Sequence, residues 1–138
     1  MTINHIFFNA SAAKFQAVVL KPIGYSEMIC ANNAALIGYC SNYPYFWLKK
    51  LSDGQTPIQT HIAFDAPGKN IKHESKASQP ADDIQTDREA VDRFYEIALQ
   101  NGGRDNGPPG IRKEMSRQPY YAAFVSDIDG NNVEAVYV

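Results

Sequence analysis

Apolar and polar positions alternate along this chain in a pattern that occurs twice. His5-Ile6-Phe7-Phe8-Asn9-Ala10 alternates as a short strand does, with His5, Phe7 and Asn9 on one face and Ile6 and Phe8 on the other. At an offset of 56 residues, His61-Ile62-Ala63-Phe64-Asp65-Ala66 repeats it, identical at four of six positions. His61 is therefore the counterpart of His5. A helical stripe follows each copy. After the first, Ser11 is a candidate N-cap and Phe15, Val18, Val19 and Pro22 fall at i, i+3, i+4 and i+7. Pro22 and Gly24 stop the helix. After the second, Thr86-x-x-Glu89 reads as a capping box, and Val91, Phe94, Tyr95 and Ala98 repeat the stripe until Gly102-Gly103.

Strand-like segments follow each helix. They are Tyr25–Ala31, Ala34–Cys40 and Tyr45–Lys50 in the first half, then Tyr120–Ser126 and Asn132–Val138 in the second. The stretch from Arg104 to Pro119 is poorly patterned, and Gly107-Pro108-Pro109-Gly110 within it reads as a turn-rich linker. Asp129-Gly130 signals a hairpin with a loop of up to five residues. The pattern predicts an α+β chain of two βαβββ modules in a single domain, 1–138, with module one over about 1–55 and module two over about 58–138. A polar insertion over about 68–85 interrupts module two and reads as a solvated loop, with His73 a surface histidine.

Composition narrows the function classes. Of 138 residues, 44% are hydrophobic and 20% charged, which fits a globular chain. Thirteen basic against fifteen acidic residues give a net charge of −2, so no broad basic surface for nucleic acid is expected. No apolar run is long enough for a membrane helix. No basic segment precedes an apolar stretch at the N-terminus, and Cys30 and Cys40 form neither a disulfide framework nor a CxxC pair. The expected compartment is the cytoplasm, with both thiols reduced.

The closing run Tyr120-Tyr121-Ala122-Ala123-Phe124-Val125-Ser126-Asp127-Ile128-Asp129-Gly130-Asn131-Asn132-Val133-Glu134 resembles the end of vicinal oxygen chelate proteins. This is the superfamily of glyoxalase I, bleomycin-resistance proteins, fosfomycin-resistance enzymes and extradiol dioxygenases. Thr60–Pro67 and Ala90–Tyr95 are similar to the start and helix of its second module. The resemblance implies a partly open barrel around a small-molecule site, with a divalent metal such as Fe, Mn, Ni or Zn. It implies His5, His61 and Glu134 as metal ligands, and Glu134 as the catalytic carboxylate. A fourth ligand would fall in Tyr45-Phe46-Trp47-Leu48, where no carboxylate stands. Two imidazoles and one carboxylate suit an ion with open positions for two substrate oxygens.

Other residues are candidates for the cavity wall. Trp47 could face a planar ligand or simply pack in its sheet. Tyr120 and Tyr121 face opposite ways, so one turns toward the cavity; Tyr121 is the candidate. Arg112 and Glu114 read as solvated charges, and Cys40 as a small buried hydrophobe. The sequence leaves three readings open: a metal-dependent lyase or dioxygenase acting on an oxygen-rich molecule, a metal-free binding protein of the bleomycin-resistance type, or a domain whose main business is its dimer surface. A homodimer is expected.

Overall fold

Each half of the chain sends out one strand, passes through a helix and returns as a three-stranded antiparallel meander. The meander's last strand lies beside the first and runs parallel to it. The structure, a computed structural model, describes residues 6–10, 13–33, 35–40, 43–66, 87–113 and 118–138. In the first half β1 (Ile6–Ala10), β2 (Ser26–Ala31), β3 (Leu36–Cys40) and β4 (Phe46–Lys50) form a sheet in the order β1-β4-β3-β2. In the second, β5 (His61–Asp65), β6 (Arg104–Arg112), β7 (Tyr120–Ser126) and β8 (Asn132–Tyr137) follow the order β5-β8-β7-β6. The two orders are the same, as the repeat predicts, and the chain has the α+β fold of paired βαβββ modules. His5, Ser11, His73, Thr86, Glu114 and the insertion at 68–85 lie outside the described residues.

One face of each sheet packs on the helices α1 (Ala13–Val19) and α2 (Asp87–Gln100). Period two selects the residues: Ile37, Tyr39, Phe46 and Leu48 from the first sheet, and Phe64, Ala123, Val125, Val133 and Ala135 from the second. The two sets meet in one core, where the rings of Phe46 and Phe64 lie edge to face with centroids 5.0 Å apart. Burying each such large side chain contributes about 1.5–3 kcal/mol. The opposite face of each sheet therefore points away from the shared core.

The helices differ from the expectation in one respect. Ala90, Val91, Phe94 and Ala98 of α2 are buried as their spacing requires. At its end Gly103 donates to the Ala98 carbonyl at 2.9 Å; a Cβ there would stand 2.8 Å from that oxygen, so only glycine closes the helix this way. In α1, however, Val18 is 41% exposed. The buried face of α1 runs through Phe15, Gln16, Val19 and Leu20, and a 3-10 turn at Lys21–Ile23 adds Ile23 to it. Pro22 is accommodated because the first turn of a helix needs no N–H from it.

Gly107-Pro108-Pro109-Gly110 is a second correction. It belongs to β6, with register shifts between Asp105 and Gly107 and between Gly107 and Gly110. β6 is an edge strand, where a missing proline N–H breaks no ladder bond.

A buried polar knot joins the two halves. Asp127, 2% exposed, opens the loop between β7 and β8 and accepts four hydrogen bonds. They come from the backbone N–H groups of Asp129 and Asn131, the Asn131 side-chain amide, and Gln16 Nε2 of α1 at 3.0 Å. Asn131 Oδ1 in turn accepts the Thr60 N–H at 3.1 Å, one residue before β5. Asp127→Ala should lower stability by about 3 kcal/mol in urea titration, because it orphans three buried donors and a part-buried fourth at once.

A half-buried and a buried phenol, Tyr25 and Tyr39, add a pH dependence. Desolvation is the main cause that pushes Tyr25 and Tyr39 up to about 12 from 10.0. The folded state then keeps protons that the unfolded chain releases. This stabilisation is complete below pH 10 and is lost as pH rises toward 12. The urea midpoint should fall across that window, and less steeply in Tyr39→Phe.

Candidate functional site

The face of the second sheet turned away from the helices gathers the chemistry. Strand register places its residues in transverse rows. His61 pairs with Asn132, Asn132 with Ser126, and Ser126 with Arg104, giving one row across β5, β8, β7 and β6. The next row is Ala63, Glu134, Phe124 and Gly107. Glu134 thus lies on the same face as His61, one strand over and one step along. Its carboxylate is buried, and Oε2 is 2.9 Å from His61 Nε2. The imidazole is half exposed, with 47% of its side chain accessible against 7% for Glu134. One group is desolvated and held; the other is presented.

The surroundings are polar at one end and aromatic at the other. An open cleft of about 410 Å³ is lined by His61, Arg104, Asn106, Ser126 and Asn132, with Gln59, Thr60 and Gly130 at its edge. Asn132 Oδ1 is buried and has no hydrogen-bond partner among the described residues. On the other side, Phe124 lies 6.2 Å from the His61 ring, and the Arg112 guanidinium sits 5.3 Å from the Phe124 centroid. Arg112 was expected as a solvated charge. It is instead half-buried on β6, its stem bent across the sheet because Gly107 leaves space beside Phe124.

The candidate residues fall on different surfaces. His61 and Glu134 come together; His5 lies outside the described residues. Trp47 is on the first sheet, paired with Phe7 and Gly38. The two modules put Phe7 level with Ala63, so Trp47 occupies the place in module one that Glu134 holds in module two. Its ring covers Gly38, where a Cβ would meet Trp47 Cε3 and Cη2 at 3.2 Å. Tyr121 is not brought to the His61 face. It lies on the helix side, donating to Asp92 Oδ1 at 2.7 Å under the Arg88 guanidinium. Burial first, then the bond to Asp92, raises its pKa. The register gives the open face to Tyr120, Ala122 and Phe124 instead. Sequence reading passed over Arg104, Ser126 and Asn132. Counting by twos from Glu134 to Asn132, and then across the hairpin, would have found them.

His61 and Glu134 offer two donor atoms of the types a divalent ion takes. Two ligand atoms at right angles, each about 2.1 Å from an ion, stand about 3.0 Å apart, close to the 2.9 Å found here. Among the described residues, no cluster of three or more His, Cys, Asp or Glu side chains could hold a metal; a third ligand would have to come from elsewhere.

No family model matches the chain, and no curated protein does. Solved structures do. A glyoxalase/bleomycin resistance protein from Albidiferax ferrireducens is 21% identical, covering 98% of each chain with a TM-score of 0.70. A glyoxalase/bleomycin resistance protein/dioxygenase family enzyme from Burkholderia phytofirmans is 10% identical over 100% of this chain and 99% of its own, at 0.56. The fosfomycin resistance protein FosX from Mesorhizobium loti is 13% identical over 99% and 92%, also at 0.56. The chain has the vicinal oxygen chelate fold. No helix among the described residues is long and apolar enough to cross a membrane.

Tyr121→Phe should cost about 1 kcal/mol of stability through the lost bond to Asp92 and leave binding at the His61 face unchanged, read by urea titration and by ligand titration.

Proposed function

We propose that the chain binds a small oxygen-rich molecule on the open face of its second sheet, using a divalent metal held by His61 and Glu134. The 2.9 Å approach of Nε2 and Oε2 on adjacent strands carries this reading. His5, the counterpart of His61 in the repeat, is the third ligand in this proposal. A bound ion would supply Lewis acidity toward two neighbouring substrate oxygens. The chain's own residues do the rest. Glu134, buried beside Phe124, fixes the His61 ring and offers a carboxylate to hold or move a proton. Phe124 and Arg112 wall one side and limit water there. Reaction class on this reading is lyase or dioxygenase type, in the cytoplasm, where Cys30 and Cys40 stay reduced, as neither is in a disulfide among the described residues.

The site takes its other half from a second copy. The two open faces of one chain point away from the shared core, so His61 and Trp47 of one molecule do not share a cup. A homodimer that sets one chain's first sheet over the other's second sheet would bring Trp47 to the pair. The Tyr43 and Tyr45 rings, both exposed and with centroids 4.9 Å apart, offer apolar surface beside that sheet for the contact.

Calorimetric titration of chelator-treated protein with Mn(II), Ni(II) or Zn(II) tests the metal. One ion per chain should bind, and His61→Ala or Glu134→Ala should each weaken it by about a hundredfold or more. Retention in the double variant would place binding elsewhere. Failure of the wild type with every ion would favour metal-free sequestration of a small planar compound. Light scattering should give twice the chain mass at micromolar concentration. Mixing His5→Ala with His61→Ala chains should restore about a quarter of the sites if each is built from two copies.

A further inference from the structure

The proposed ligand has a metal-binding end, but the row His61-Asn132-Ser126-Arg104 is longer than that end requires. Three inter-strand steps of about 4.8 Å separate its ends, roughly 14 Å of sheet. Arg104 closes the row as a cation lining the cleft, and it has no carboxylate partner among the described residues. Its neighbour Asp105 is turned elsewhere: Oδ1 accepts the Gly107 N–H at 2.8 Å, and the carboxylate is hydrogen-bonded by Tyr95 of α2. Among the described residues no acidic side chain lines the cleft, while Asn106, Ser126 and Thr60 bring neutral polar groups to it. Arg112, on the same face, also lacks a carboxylate partner among the described residues, and its Nε is buried without one. Glu134 is engaged with His61, and Asp65 stands at the far end of β5. In a chain of net charge −2, this half of the face is locally cationic.

Asn132 adds a second, independent constraint. Asn132 lines the cleft, and its Oδ1 is buried without a donor among the described residues, a state that costs free energy unless a donor reaches it. We infer that the row is a subsite for an anionic, hydroxyl-bearing small molecule: its carboxylate or phosphate lies on Arg104, and a hydroxyl donates to Asn132 Oδ1. This rests on the reading of the face as a small-molecule site and names the class of molecule: an acid, carrying hydroxyls toward His61. The pairing of a guanidinium with an acidic oxygen gives the strongest single contact available in the cleft.

The test uses glycerol 3-phosphate, glycerate and neutral glycerol as probes, with a chelator present so that the outcome is independent of metal. Amide shifts at 104–106, 126 and 132 in nitrogen-15 spectra report occupancy. One or both acids should shift these amides saturably, and glycerol should not; the tighter acid identifies the group the site prefers. Arg104→Gln should weaken the acids by about tenfold or more, Arg104→Lys should restore part of the loss, and Asn132→Asp should abolish binding by repulsion. Arg93→Gln, an exposed change on α2, should leave the affinity alone. The inference is overturned if glycerol binds as well as the acids, or if Arg104→Gln and wild type agree within about twofold. Metal binding without acid binding removes this subsite alone; acid binding without metal removes the metal reading alone.

Discussion

Everything at the candidate site hangs on a carboxylate that never reaches it. Asp127 is buried at the junction of α1, β7 and β8, and holds four donors, one of them from the opposite module. A buried charge of this kind persists only when its acceptor capacity is used. Its bonds fix the five-residue loop between β7 and β8, and therefore the register in which Glu134 faces Phe124. Through Asn131 Oδ1 they also fix the Thr60 backbone, and so the point at which His61 enters the sheet. A slip of one residue in β8 would turn Glu134 into the core and Val133 toward His61. The knot opposes that slip.

The repeat has diverged where it matters chemically. Both modules keep the parallel pairing of first and last strand and the helix beneath, because one core requires both. On the open faces the constraint is lifted. Module two carries a carboxylate on its last strand with an aromatic ring beside it, Glu134 and Phe124. Module one carries the ring on the last strand and a glycine beside it, Trp47 and Gly38. One face is polar and charged; the other carries an aromatic ring over a glycine.

The buried half of each element was readable because burial imposes a period. The repeat pointed to His61 and the closing motif to Glu134, and the two βαβββ modules followed from the repeat. What escaped lay where period and register are decided by tertiary structure. Val18 left its stripe because the buried face of α1 centres on Gln16 and Leu20, and Gln16 is held there by Asp127. Gly107-Pro108-Pro109-Gly110 looked like a linker because an edge strand tolerates residues that a central strand does not. Tyr121 was given to the cavity because two adjacent tyrosines face opposite ways and only the pairing with β8 says which is which. Arg104 and Arg112 carried no pattern at all; whether a cation has a carboxylate beside it is seen only when its neighbours are in place.

The central claim is that His61 and Glu134 form a held pair, positioned by the knot and open on one side. Nitrogen-15 spectra of the His61 ring test it most directly. The account predicts a single sharp Nε2 environment in the wild type, displaced in Glu134→Gln and broadened or split in Asp127→Asn. Identical His61 ring signals in all three proteins would contradict it.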